Sequence, residues 1–246
     1  MIDHPFLSVI IPAYNEQTRI GSAITSVAKY LREQDYTWEL LIVDDGSSDE
    51  TELIVKSHPE YGEFVRLLTV IHGGKGWAVK NGMLNAKGLY QFICDSDLSM
   101  PIKHLLDFLP PKAPESDIVI GSRELPTSVR FGEPFIRHLM GRVFNLIVRF
   151  VGISEIRDTQ CGFKCFTKEA SEKLSKIQTI KGFGFDVEIL FVARRLGLKI
   201  SEIPIDWYYN SESKVRPFRD SIRSIVDLLI IKWNDIRGRY RPTNID

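Results

Sequence analysis

The strongest constraint on the fold is an alternation in the first half of the chain: short apolar runs, each closed by a polar loop and followed by a helical pattern. Residues 6–11 form an apolar run ended by Pro12. Residues 19–34 carry helical periodicity through Ile20, Ala23, Ile24, Val27 and Leu31, with Thr18 as the expected N-cap. Residues 38–43 read as a second buried strand, followed by Asp44-Asp45-Gly46-Ser47-Ser48 and a helix from about Asp49. Residues 64–71 give a third strand, after which His72-Gly73-Gly74-Lys75-Gly76 opens a helix running to about Lys87. Residues 89–94 and 117–121 are the fourth and fifth strands. Strands separated by helices of this length predict an α/β fold, a mostly parallel sheet with helices on both faces. A chain of 246 residues with 43% hydrophobic content is ordinary for one such domain, and the expectation is a single domain over residues 1–246.

The second half changes character. Residues 134–151 predict a strongly apolar helix whose polar residues His138, Arg142, Asn145 and Arg149 draw one narrow, mostly basic stripe. Residues 161–167 and 199–205 read as strands and 186–196 as a helix. Residues 218–239 form a last amphipathic helix. Phe218, Ile222, Ile225, Val226, Leu229, Trp233 and Ile236 lie on one side of it, and Arg219, Arg223, Lys232, Arg237 and Arg239 supply its basic complement. Helices of this kind are either deeply buried or lie in a membrane interface with their cations toward anionic headgroups.

Composition removes several function classes. Lys+Arg and Asp+Glu both number 32, so bulk charge gives no reason to expect a nucleic-acid partner. Three cysteines, with Cys161 and Cys165 four apart and no nearby His, fit no zinc site and read as reduced thiols of a cytosolic protein. The first residues lack the basic and apolar regions of a signal peptide, and no apolar run approaches the ~18 residues needed to span a bilayer. The expected location is cytoplasmic, peripheral on the cytoplasmic face of a membrane.

In a parallel sheet the loops at the carboxyl ends of the strands share one edge, where ligands bind. There, Asp95 and Asp97 stand at i and i+2 of an extended segment and point the same way. Two close carboxylates repel, and a hard divalent cation, Mg²⁺ or Mn²⁺, relieves that while bridging to phosphates. An isolated Asp-x-Asp equally fits a solvated turn that caps the next helix. The loop Pro12-Ala13-Tyr14-Asn15-Glu16 offers an aromatic face and a carboxylate, and Asp44 and Asp45 offer acceptors for ribose hydroxyls or a base N–H, with Gly46 permitting a tight turn. Gly73-Gly74-Lys75-Gly76 offers backbone N–H groups and a cation for phosphate, although it is neither a Walker A loop nor a dinucleotide fingerprint. Each loop singly also fits a turn with a cap; together they describe a nucleotide-diphosphate site.

The blocks Val9-Ile10-Ile11-Pro12-Ala13-Tyr14-Asn15-Glu16, Val43-Asp44-Asp45-Gly46-Ser47 and Asp95-Ser96-Asp97 resemble the family 2 glycosyltransferases of GT-A fold. Gly121-Ser122-Arg123, Asp158-Thr159-Gln160-Cys161-Gly162-Phe163-Lys164, Phe185-Asp186-Val187-Glu188 and Ser213-Lys214-Val215 extend the resemblance to the polyprenyl-phosphate branch, the dolichyl-phosphate glucosyl- and mannosyltransferases. The resemblance implies that Pro12, Tyr14, Glu16 and Asp44 hold the nucleoside, Asp95 and Asp97 the metal and diphosphate, and that Arg123 and Lys214 face the phosphates. Residues of about 6–125 would be the nucleotide-sugar half and about 126–240 the acceptor and membrane-interface half. Mannosyl relatives often carry Gln where this chain has Ser99 and Arg where it has Tyr208, and both departures point away from a mannose donor.

The reaction so implied is metal-dependent, inverting transfer of glucose from a UDP-sugar to a polyprenyl phosphate. The alternatives are mannosyl transfer from a GDP-sugar, a soluble or saccharide acceptor, and a non-catalytic nucleotide-sugar-binding protein. A phosphate acceptor has a second pKa of about 6 and needs no general base. It needs cationic positioning, for which Arg137 and Lys214 are the candidates. Asp158 and Asp186 read as capping groups or partners of Arg157 and Lys181 rather than as catalytic carboxylates.

Overall fold

The computed structural model describes residues 4–134, 138, 141–142, 146–148, 153–209 and 217–241. In chain order the elements are β1 (Leu7–Ala13), α1 (Ile20–Arg32), β2 (Trp38–Asp44), α2 (Thr51–Ser57), β3 (Val65–Thr69), α3 (Lys75–Asn85) and β4 (Tyr90–Ile93). A 3-10 helix, Ile102–Phe108, follows, then β5 (Ile118–Ser122), β6 (Val129–Phe131), β7 (Lys164–Thr167), α4 (Lys168–Ile177), α5 (Phe185–Arg195), β8 (Ile200–Pro204), β9 (Asp206–Tyr208) and α6 (Pro217–Ile236).

The main sheet has the order β3-β2-β1-β4-β7-β5-β8. All its pairs are parallel except those of β7, which runs antiparallel to both β4 and β5. β1 is buried on both faces, which is why it reads as a continuous apolar run rather than an alternating one. Leu7, Val9 and Ile11 pack on one side with Ile20, Ile24, Val27 and Leu31 of α1. Ile10 points to the other side, with Ala78, Val79 and Met83 of α3 and the apolar residues of α5. The mostly parallel α/β architecture with helices on both faces is therefore the one the sequence predicts.

The sheet order turns the site toward one place. From β1 the chain winds outward to β2 and β3, then returns to lay β4 on the other side of β1. That reversal makes a crevice at the carboxyl ends of β1 and β4, the position where open α/β sheets bind ligands. Two non-glycine residues with positive φ sit in these two loops, Asn15 (φ 53) after β1 and Leu98 (φ 45) after β4. Asn tolerates this conformation, whereas for Leu it costs on the order of 1–2 kcal/mol and must be held by its surroundings.

Several local expectations are corrected. Thr18 does not cap α1: the N-cap is Arg19, and the amides of Arg19 and Ile20 both donate to the Glu16 carbonyl. The strand expected over 161–167 begins only at Lys164. α4, capped by the Thr167 hydroxyl accepting from the Ala170 amide, and the small parallel sheet of β6 and β9 were not anticipated from the sequence pattern. Of the helix expected over 134–151, His138, Gly141, Arg142 and residues 146–148 are helical, and the remainder lies outside the described residues, as do Arg137 and Lys214. Among the described residues, no helix is long and apolar enough to cross a membrane.

Candidate active site

A cavity of about 640 Å³ opens at the carboxyl edge of β1 and β4. Pro12, Tyr14 and Glu16 line it from the loop after β1, Lys75 from the start of α3, and Asp95 and Asp97 from the loop after β4. Six of the residues singled out from the sequence thus converge on one space. Asp44 and Gly46 do not line it. Asp44 is buried beside it, in register with the lining residue Ala13, and Gly46 (φ 70) makes the turn that carries Asp45 into the wall.

Asp44 and Asp45 have divergent tasks. Asp44 Oδ1 accepts from the Ser47 amide at 3.1 Å and from its hydroxyl, while Asp44 Oδ2 is buried with no hydrogen-bond partner. An orphaned buried carboxylate oxygen carries a desolvation cost that a donor from a ligand would remove. Asp45 instead accepts from the amides of Gly73 (2.9 Å) and Gly74 (2.8 Å) and lies 2.9 Å from His72 Nδ1. This corrects the expectation for the glycine loop: those amides are satisfied by Asp45, not left for phosphate. His72 in turn stacks on Tyr14, with ring centroids 4.2 Å apart.

Lys75 is likewise engaged inside the protein, with Nζ 2.6 Å from Asp95 Oδ1. Burial pushes the Asp95 carboxyl up, but the Lys75 ammonium, with Lys164 and Arg123 farther off, outweighs it and holds Asp95 below the usual range. Asp97 is pushed the other way, by its own burial and by the neighbouring Asp95 charge, and accepts the Ser99 amide at 2.9 Å. Two carboxylates on one short loop with opposite shifts are a site that gains from added positive charge. Among the described residues no cluster of three His, Cys, Asp or Glu side chains forms a closed metal cage. A pair of carboxylates suits a cation that takes its remaining ligands from phosphate and water, as Mg²⁺ and Mn²⁺ do.

Arg123 does not line the cavity. Its Nε and Nη2 form a fork on Asp158, at 2.7 and 2.9 Å, and its amide donates to the same carboxylate at 3.0 Å. Asp158 is wholly buried, and Arg123 packs over the Trp207 ring. Asp158 therefore pairs with Arg123 and not with Arg157. Asp186 pairs with Lys164 at 2.6 Å and not with Lys181, which lies over the Trp77 ring. Glu188 is also structural: its buried carboxylate accepts from the Thr179 and Ile180 amides, the Thr179 hydroxyl and Tyr240.

Other residues reach the site without a local sequence signal. Phe183, from the segment before α5, and Arg223 and Asp227, four apart on α6, line the cavity. The second half of the chain thus contributes to the same space as the first. Ser99 and Tyr208, distant in sequence, meet directly: the Tyr208 amide donates to the Ser99 carbonyl at 2.7 Å.

Residues 8–175 match the family described as Glycosyl transferase family 2. A dolichyl-phosphate beta-glucosyltransferase of Dictyostelium discoideum is 34% identical over 254 residues, covering 98% of this chain and 78% of that protein. The proteins of the same name from Saccharomyces cerevisiae and Homo sapiens are 36% and 32% identical, each over 96% of this chain and 77% of the relative. Among solved structures, glucosyl-3-phosphoglycerate synthase from Mycobacterium tuberculosis in complex with UDP aligns over 92% of this chain and 80% of that one, with a TM-score of 0.65 at 22% identity. The same protein with Mn²⁺ and UDP-glucose gives 0.64 at 20% identity, over 92% and 78%. These structures share the fold. The family match and the near-full-length relatives together establish that the chain is a glycosyltransferase and belongs to glycosyltransferase family 2.

Proposed function

We propose that this enzyme transfers glucose, with inversion, from UDP-glucose to a polyprenyl phosphate of the dolichyl type, and that it does so with Mg²⁺ or Mn²⁺ on Asp95 and Asp97. The observation that carries the reading is the convergence of Pro12, Tyr14, Glu16, Lys75, Asp95 and Asp97 on the crevice where the strand order reverses. The acceptor class is supported by the dolichyl-phosphate beta-glucosyltransferase relatives, and the donor and metal by the neighbour crystallised with Mn²⁺ and UDP-glucose.

In this reading Asp44 Oδ2 takes a base or ribose donor, and Tyr14 and Glu16 border the nucleoside. A bound cation supplies charge stabilisation to the diphosphate as it leaves the anomeric carbon. The chain's own contribution is placement. The loop from Asp95 to Ser99 fixes both carboxylates, and the Tyr208 amide, donating to the Ser99 carbonyl, ties β9 to the end of that loop. The acceptor phosphate, largely dianionic at neutral pH, attacks without a protein base. We assign Lys214 and Arg137 to its positioning and keep Arg123 as a residue that ties the end of β5 to the segment ahead of β7 through Asp158. Calorimetric titration with UDP and GDP in the presence of Mn²⁺ tests the donor. UDP is expected to bind more tightly, and Asp44→Ala to weaken it by roughly 10-fold, the loss of a hydrogen bond to a charged group. Tighter GDP binding would move the reading to mannosyl transfer.

We further propose that the enzyme works at a membrane surface. On α6, Leu228 and Ile231 are buried, whereas Leu229 (67% exposed), Trp233 (55%) and Ile236 (75%) form one open apolar strip. Leu229 lies about 200° around the helix from Asp227, away from the cavity. Arg237 stacks over Trp233, and Arg239 is exposed just beyond the end of the strip. Each basic residue near an anionic leaflet contributes about 1 kcal/mol, so binding is expected to be reversible and salt-sensitive. The protein should co-sediment with anionic vesicles at low salt and detach at high salt. The double change Leu229→Glu and Trp233→Glu should abolish sedimentation and leave UDP affinity unaltered. Wild-type protein that stays in the supernatant at every lipid charge contradicts the proposal.

A further inference from the structure

The ion pair between Lys75 and Asp95 places a cation on one of the two proposed metal ligands, in the wall of the cavity. Their side chains are 23% and 28% exposed, so the pair is neither sealed in the core nor freely solvated. Both ends are held in place. Ahead of Lys75, the Gly73 and Gly74 amides are tied to Asp45, and one turn into α3 the Trp77 amide donates to the Lys181 carbonyl at 3.0 Å. Behind Asp95 lies Gly162, where a Cβ would come within 2.2 Å of Asp95 Oδ2. Of the other cations that act on Asp95, Lys164 is committed to Asp186 and to the Cys161 carbonyl, and Arg123 to Asp158. Lys75 is thus the ammonium that the fold delivers to the aspartate pair, and it relieves the same repulsion that a divalent ion would relieve.

We propose that Lys75 is the built-in counter-ion of the metal site. It neutralises Asp95 while no divalent cation is bound, and it is displaced from Asp95 when the cation arrives and takes the anionic diphosphate instead. This rests on the reading of Asp95 and Asp97 as metal ligands and goes beyond it. An ammonium expelled into a half-buried cavity without an anion loses its partner, and such a loss is costly. A nucleotide diphosphate supplies the new partner. Metal and nucleotide therefore bind cooperatively, and the coupling is reciprocal. The cation alone has to compete with Lys75 for Asp95.

The test is Mn²⁺ binding to the full chain, followed by the paramagnetic signal of free Mn²⁺, with and without UDP, in wild type and in Lys75→Met. In the wild type UDP is expected to tighten Mn²⁺ binding by at least ~10-fold. In Lys75→Met, Mn²⁺ without nucleotide should bind ~10-fold more tightly than in the wild type, and the effect of UDP should shrink by a similar factor. The variant leaves Asp95 without its cation, so its melting temperature is measured as well. Mn²⁺ alone should raise it by more than it raises that of the wild type, because the ion replaces the missing charge. Unchanged or weaker nucleotide-free Mn²⁺ binding in the variant, with wild-type coupling to UDP, overturns the counter-ion role while leaving the metal site standing. Absence of Mn²⁺ binding to wild type even with UDP overturns both.

Discussion

Asp97→Asn is expected to reduce turnover at least ~100-fold without unfolding the protein, the usual loss when one stabilising group is removed from a site of developing charge. The substitution keeps the shape of the side chain, and the Asn carbonyl oxygen can still accept the Ser99 amide now held at 2.9 Å. What is lost is one negative charge from the pair that would hold the cation. The same charge is unfavourable in the metal-free protein, where burial and Asp95 both push the Asp97 carboxyl up. Metal-free Asp97→Asn should therefore melt no lower than the wild type while its activity collapses. Turnover with Mn²⁺ and a thermal melt in EDTA check the two halves. Activity within a few-fold of wild type would remove Asp97 from the site, and full wild-type activity in EDTA would remove the metal.

Asp158→Ala is expected to have the largest effect on stability, roughly 2–3 kcal/mol, because it takes the buried acceptor from the partly buried Arg123 guanidinium and from the Arg123 amide. For a chain of this length that lowers the melting temperature by roughly 4–12 °C. The pair joins the end of β5 to the segment ahead of β7, and it is bidentate, so Arg123→Lys should recover little of what Arg123→Ala loses. Replacing both partners, as Arg123→Met with Asp158→Leu, should recover most of the stability. The pair also has a pH signature. Burial raises the Asp158 carboxyl, but Arg123 and the amide donor outweigh that and hold it at about 2, below the ordinary carboxylate range. A carboxyl depressed on folding contributes its stability above its unfolded pKa and loses it as pH falls through the folded one. About 2 kcal/mol is therefore expected to disappear between roughly pH 4 and pH 2 in the wild type and to be missing from that window in Asp158→Ala. If the double variant regains stability and also keeps full activity, Arg123 acts only through the fold.

What was legible in the sequence was whatever depends on neighbours along the chain. β1 and β2 are buried on both faces, so each appears as a run of apolar residues with a break where its loop begins. The loops after β1, β2 and β4 share one edge once the strands are parallel, and strand order alone therefore brings Tyr14, Glu16, Asp95 and Asp97 together. What was hidden depends on long-range pairing. Nothing local in residues 164–167 distinguishes an antiparallel strand from a parallel one, and β7 lies between β4 and β5 in the opposite sense. Asp158 sits one residue from Arg157 yet takes Arg123, 35 positions away, because the sheet brings β5 beside it. The Gly73 and Gly74 amides looked available for phosphate because a loop sequence does not say which groups are already satisfied; Asp45 claims them from 28 and 29 residues away. Arg223 reads in the sequence as part of the basic complement of an amphipathic helix, and only the position of α6 brings it to the cavity. α4 was the exception: Thr167 before Lys168-Glu169-Ala170 is a readable N-cap signal of the kind that starts helices.

The most direct test is transfer itself. The protein is incubated with Mn²⁺, a short-chain polyprenyl phosphate and either UDP-glucose or GDP-mannose carrying a radiolabelled sugar, and the mixture is extracted into organic solvent. Label from UDP-glucose is predicted to enter the organic phase, to require the divalent cation, and to be lost in Asp97→Asn. Label that enters only from GDP-mannose, or label from UDP-glucose that stays in the aqueous phase on a soluble acceptor, would contradict the assignment.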